Sequence, residues 1–259
     1  LKVFRQFIWL ALLAVLAARS VAAAPEVHRF NLMLSGIPTQ LKATDLNDYI
    51  DTYNQTVLTP HGLESLSNIG FGWYFQAELR YFIRSNWAVS GGVGQIHSKS
   101  SNEYLPRISQ AINQRAEVIT VPVHIGGTYY LAPFTQGDFQ ARAYLGAGFT
   151  AATNSKIILE RLEFATDSAT TLGGSTRSKT RGEGPGYYLE VGGHMFFASR
   201  YSVMIGVMYR SAIARNTHVI NETVVPGGTG TVSATPSPTP GIPIDTGGLG
   251  LRMGLGIGF

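Results

Sequence analysis

Large and small side chains alternate strictly at the end of this chain. In "GGLGLRMGLGIGF" (247–259), Leu249, Leu251, Met253, Leu255, Ile257 and Phe259 share one parity. The other parity is glycine except for Arg252. Successive residues of a strand point to opposite faces. One face is therefore wholly apolar, and the other is nearly bare apart from one arginine. The same alternation recurs at 28–36, 69–83, 87–96, 117–131, 139–149, 187–197 and 202–212. That makes eight candidate strands, most of them long enough for the about 9–11 residues with which a tilted strand crosses a bilayer.

The connections follow a rhythm. "RSN", "APFTQGD" and "ASRY" are short, whereas 37–68, 97–116, 150–186 and 213–247 are long, and the two kinds alternate. A membrane barrel has short turns on its periplasmic side and long loops on its outer side, and an even strand number returns both ends to one side. In the first long loop, Leu46, Tyr49, Ile50 and Tyr53 of "TDLNDYIDTYNQT" (44–56) follow the spacing of one helical face. This predicts a short amphipathic helix capped by Thr44 or Asp45. Its carboxylates Asp45, Asp48 and Asp51 lack the pattern of a calcium loop and read as a solvated face. The last long loop is rich in Pro, Gly, Ser and Thr and reads as mobile.

Sorting by parity decides which face is inside. On 69–83, Phe71, Trp73, Phe75, Leu79 and Tyr81 oppose Gly72, Tyr74, Gln76, Glu78 and Arg80, and the later segments split alike. In water the apolar face would fill a lumen only just wide enough for side chains. The outside would then be glycine with very few charges, since charged residues make up 14% of the chain, against about a quarter in ordinary soluble domains. Turned outward, the apolar face meets lipid, and closure leaves no backbone edge unpaired in hydrocarbon. Aromatics near the segment ends suit the two membrane interfaces. The inward parity then holds Glu78, Arg80, Arg142, Glu190, His194, Arg210 and Arg252. Buried charges must be paired or hydrated. Two arrangements satisfy this: Glu78 and Glu190 bridge arginines across a packed polar core, or the arginines line a narrow cationic water path. Tyr74, Tyr144, Tyr188, Phe196, Met204 and Met208 on the same parity favour filling.

Residues 1–23 read as a cleaved signal peptide, with Lys2 and Arg5 before the apolar run 7–18 and Val21-Ala22-Ala23 at the cleavage site. Residues 24–259 form the barrel domain. The net charge of +4 includes three positive charges on Lys2, Arg5 and Arg19, leaving +1 after cleavage, so charge gives no reason to expect a nucleic-acid partner. The chain has no cysteine, which removes disulfides and thiolate metal sites.

The signal, the alternating segments, the loop rhythm and the terminal Phe259 resemble the small bacterial outer-membrane β-barrel superfamily. It includes the OmpA-like transmembrane domain and the OmpX/Ail-type, OmpW-type and opacity-like porins; no motif selects one of them. The resemblance spans 24–259. It implies an all-β fold, an eight-stranded antiparallel up-and-down transmembrane barrel with a short helix in the first long loop. It also implies a location in the outer membrane of a Gram-negative cell, contact with outer-membrane lipid and lipopolysaccharide, and Phe259 as the signal read by the barrel-assembly machinery. A Ser/His/Glu set would be needed for a lipid A-modifying enzyme. His194 and Glu190 face inward, with Ser202 or Ser90 nearby, and no His-x-Ser lies on the lipid face. The expected role is therefore non-enzymatic, without catalytic residues, metal or cofactor: envelope structure, a small-solute pore, or surface interaction with an unspecified ligand. The alternatives are that enzyme and a soluble periplasmic ligand-binding barrel.

Overall fold

The computed structural model describes residues 28–259 except 62–63, 108–109, 166–174, 198–199, 216, 225–230 and 237–240. The signal segment expected at 1–23 and its expected cleavage site therefore lie outside the described residues.

Among the described residues twelve strands form, not eight. In chain order they are β1 Phe30–Gln40, β2 Phe71–Arg84, β3 Trp87–Arg107, β4 Gln110–Tyr130, β5 Phe134–Gln136 and β6 Phe139–Ala165. There follow β7 Ser175–Phe197, β8 Tyr201–Ala214, β9 His218–Val224, β10 Thr231–Pro236, β11 Ile244–Asp245 and β12 Gly248–Gly258. All pairings are antiparallel. They run β1–β2–β3–β4–β6–β7–β8–β12 and return from β12 to β1. At the seam, Phe259 donates its backbone N–H to Phe30 O at 2.9 Å. The four remaining strands, β5, β9, β10 and β11, are short additions to this ring.

The ring closes unevenly. β7 pairs β8 along Gly186–Phe197 but pairs β9 along Ser175–Arg181, and β10 adds to the far side of β9. At the long-loop end, β3, β4, β6, β7, β9 and β10 therefore rise as an open sheet above the ring. Much of what reads as loop in 97–116 and 150–186 is strand, because each extended segment finds a neighbour to continue its hydrogen-bond ladder. The same correction applies to the last loop, whose described parts include β9, β10 and β11 rather than a wholly irregular chain.

The face assignment follows parity. β12 alternates buried and exposed without exception, with Leu255 68% exposed and Arg252 fully buried. Among the described residues no helix is long and apolar enough to cross a membrane; the strands carry the apolar outer surface. Aromatic rings pack on one another at both ends of that surface. Phe30 stacks on Phe259 and Trp87 packs on Tyr129 near the short turns, while Trp73 stacks on Phe75 at the opposite rim.

The helix α1 spans Thr44–Tyr53 and continues through tighter and wider turns to His61. Neither Thr44 nor Asp45 caps it. The cap position is Ala43, in the left-handed region at φ 38°, with no side-chain cap bond. Tertiary contacts hold the helix instead: Leu46 and Ile50 are buried in one apolar cluster with Ala116, Val118 and Ile157 of the risen sheet. Two asparagines fasten the returning chain to it. Asn47 exchanges a pair of hydrogen bonds with the backbone of Ile69 at 2.9 and 2.8 Å, and Asn54 does the same with Leu66 at 2.9 Å each.

Candidate functional site: a charge cluster across the lumen

Four of the seven inward charges meet at the centre of the ring. Arg80 Nη2 donates to Glu190 Oε1 at 2.9 Å, and its Nε donates to Glu78. Arg252 Nη1 donates to Glu190 Oε2 at 2.6 Å, and its Nη2 lies 3.2 Å from Glu78 Oε2. Each carboxylate thus serves both guanidinium groups. Arg80 and Arg252 are 0% exposed, Glu78 1% and Glu190 4%. Two cations and two anions leave the group formally neutral, which a site shut off from water requires.

Further polar groups complete the shell. Arg80 Nη1 donates to Tyr130 Oη at 2.7 Å, and Arg252 Nε to Ser35 Oγ at 3.2 Å. Gln76 Nε2 donates to Glu78 Oε2 at 2.8 Å, and His124 Nε2 lies 3.0 Å from the same oxygen. Parity places Gln76, His124 and Tyr130 on the inner face, but being uncharged or an isolated histidine they do not announce themselves as part of an ion cluster.

The other three predicted residues lie outside the four-membered cluster. His194 reaches it only through Tyr130, 3.0 Å from its Nδ1, and its ring packs 4.0 Å from that of Phe196. Arg142 sits toward the short turns: its Nε donates to Gln140 Oε1 at 2.7 Å, and its Nη1 donates to the backbone oxygen of Ser85. Arg210 sits toward the long loops, donating to Thr246 O at 2.8 and 3.2 Å beneath the ring of Tyr74. The balance is thus two glutamates against two arginines, with the other two arginines held by carbonyl and amide oxygens and aromatic faces at either end.

Glycine makes the cluster possible. Gly92 stands directly across from Glu78, Gly146 from Glu190 and Gly206 from Arg252. A methyl at Gly146 would lie 2.6 Å from Glu190 Cγ. Small residues opposite long charged ones let the latter lie across the lumen without widening the ring.

Little space remains. Tyr74, Tyr144, Tyr188, Phe196, Met204 and Met208 are all buried. A lumen cavity beside Tyr74, His124, Tyr188 and Arg210 has about 10 Å³, room for about one water at most. Above it, Tyr74, Tyr188 and Met208 join the apolar cluster under α1. Ser202 accepts from Asn31 at 3.2 Å and lies against Met33, while His194 is engaged by Tyr130 and Phe196.

A second charged array lies on the opposite face of the risen sheet. Its chain is His97–Glu117–Arg115–Glu160–Arg177–Glu222–Lys179, crossing five strands. The bond from Lys179, 2.7 Å long, together with the nearby positive charges, holds the Glu222 carboxyl below its usual range.

The family described as "Outer membrane protein beta-barrel domain" matches residues 9–233. The chain belongs to that family. It is therefore a bacterial outer-membrane β-barrel protein. Among solved structures it is similar to the outer membrane protein OprG from Pseudomonas aeruginosa, at 12% identity over 90% of this chain and 97% of that one, with a TM-score of 0.43. The N-terminal β-barrel domain of Pseudomonas aeruginosa OprF follows at 8% identity, over 90% and 100% of the two chains, with a TM-score of 0.38. Ail, the attachment invasion locus protein of Yersinia pestis, follows at 11%, over 90% and 99%, with a TM-score of 0.34. No curated protein matches the chain.

Proposed function

We propose that this protein is a closed, non-enzymatic eight-stranded barrel that anchors a surface-exposed sheet and helix in the outer membrane. The eight strands are those whose pairing returns to its start; their short turns face the periplasm, and the risen sheet with α1 faces outward. The observation that carries this reading is the neutral Arg80–Glu78–Arg252–Glu190 cluster, which spans the lumen with almost no exposure to water. A buried charge needs an opposite charge or close hydrogen-bond acceptors. This pairing engages the charges at the centre of the lumen that would otherwise attract a permeating ion, and the aromatic and methionine side chains fill the space around it.

Planar-bilayer recording of the refolded full chain tests the proposal. Wild-type protein should show no stable conductance steps. Reproducible steps whose ion selectivity changes in Arg142→Glu would overturn the closed reading in favour of a cationic path. The non-enzymatic part is tested by lipid A mass spectra on expression: unchanged spectra support it, and a new acylation or modification state removes it.

The proposed partners are those of any such anchor: lipid and lipopolysaccharide around the apolar surface, and the barrel-assembly machinery acting on Phe259. That residue is 63% exposed at the short-turn rim. Phe259→Ala should lower the amount of protein reaching the outer membrane without changing the stability of refolded protein by more than about 1 kcal/mol, the scale of one aromatic pair.

A further inference from the structure

The risen sheet and α1 enclose a cavity of about 350 Å³, at the small end of the range for ligand pockets. Its floor is two adjacent rows of side chains on the inner face of the sheet. Cross-strand register aligns Gln114, Arg161, Thr176 and Thr223 in one row. The next row aligns Leu159, Ser178, Asn221 and Thr235. Its wall is the helix, which contributes Tyr49, Ile50 and Tyr53. The two tyrosine rings stand one turn apart and nearly parallel, at 6.4 Å and 12°.

Gln114 places an unsatisfied amide in the floor of this space. It is 2% exposed, and its Nε2 donates to Tyr53 Oη at 2.9 Å. Its Oε1 is buried with no hydrogen-bond partner. An unpaired buried amide oxygen costs about 1–3 kcal/mol, so it calls for a donor from a ligand or a water. Around it, the threonine and serine hydroxyls and the Asn221 amide each both donate and accept.

The charged groups of the lining, Arg161 on the floor included, are already engaged within the protein, which points to an uncharged ligand. Glu160, Arg177 and Glu222 are tied to one another and to Lys179 in the array on the opposite face, and Arg161 is itself engaged. Hydroxyl and amide groups that both donate and accept, beside flat aromatic faces, match a ring with hydroxyls on its edge and an apolar C–H face.

We propose that this cavity binds a neutral saccharide unit, presented from outside the cell. The inference deepens the surface-anchor reading and rests on its sidedness for the source of the sugar, though binding itself does not depend on a closed lumen.

Saturation-transfer NMR on the refolded full chain tests it, in a detergent without a sugar headgroup. The probes are maltose, cellobiose, N,N′-diacetylchitobiose and methyl α-mannoside, with glucuronate as the charged comparator. At least one neutral sugar receives saturation. That transfer disappears in Ser178→Trp, which fills the floor, and the affinity falls about tenfold in Gln114→Leu, the loss of one buried hydrogen bond at about 1.4 kcal/mol. Heat-modifiable gel mobility identifies folded variants, and either one suffices. No transfer to any neutral sugar, equal transfer in Ser178→Trp, or a preference for glucuronate overturns the proposal. Conductance in bilayers would remove the closed-barrel reading and leave this one standing; loss of saccharide transfer would do the reverse.

Discussion

Arg80 on β2 and Glu190 on β7 stand half-way round the ring from each other, four strand steps in either direction, yet their side chains meet at 2.9 Å. That bond runs across the lumen rather than along the sheet. Arg252 reaches the same carboxylate from β12, two strands away from β7. The ring is therefore tied through its interior as well as round its wall.

Removing one member of this cluster leaves an unpaired buried charge. Arg252→Met should destabilise the barrel by about 3–5 kcal/mol, read as a lower urea midpoint in lipid vesicles. The double change Arg252→Met with Glu190→Gln should recover part of that loss. A double-mutant cycle with coupling below about 0.5 kcal/mol, the limit for independent sites, would show that the pair does not act as a unit.

The glycines opposite the charges should be intolerant of any side chain. Gly146→Val pushes into Glu190 and should cost about 1–3 kcal/mol through overpacking. Gly193 on β7 is the internal control, because a Cβ there meets nothing within 4 Å. Gly193→Val should leave stability unchanged or raise it. Equal effects at the two positions would mean that the lumen has slack around Glu190.

Lipid contact of the outer face is measurable by depth. Ile205 lies mid-strand on β8, 48% exposed, and Phe71 lies at the rim, 54% exposed. Arginine at a bilayer midplane costs about 2–4 kcal/mol and near an interface about 0–1. Ile205→Arg should therefore lower stability in vesicles well beyond Phe71→Arg. The same loss at both positions would contradict a membrane centred between the aromatic rims.

The outer array should loosen in acid. Glu222 has a folded pKa lowered chiefly by the hydrogen bond from Lys179, with help from the positive charges of Lys179 and Arg177. Its stabilising contribution is thus fully present above the unfolded carboxylate value of about 4.3 and is lost as pH falls through the lower folded value. Amide exchange in β9, corrected for intrinsic rates, should speed up relative to β8 below that value. Glu222→Gln should remove the difference. Acid-insensitive protection in β9 would mean that its pairing to β7 stands without the charges.

The local alternation was enough to assign the faces, because a strand has no choice but to send neighbours to opposite sides. Glu78, Arg80, Arg142, Glu190, His194, Arg210 and Arg252 are all buried as their parity requires. Parity says nothing about height along the lumen, however, nor about which strand stands opposite. Those depend on ring closure and strand stagger, which no single segment contains. They bring Arg80 and Arg252 to two carboxylates and leave Arg142 and Arg210 on neutral oxygens at the two ends. They also explain why 97–116 and 150–186 become strand: an extended backbone is stable only where a neighbour completes its hydrogen bonds. α1 shows the same division. The spacing of Leu46 and Ile50 announced an amphipathic helix, while its uncapped start at Ala43 is sustained by burial against a sheet built from distant parts of the chain. The sequence by itself determined periodicity, and with it what each residue faces. Only the tertiary structure decided partners, because partners are a property of the closed ring.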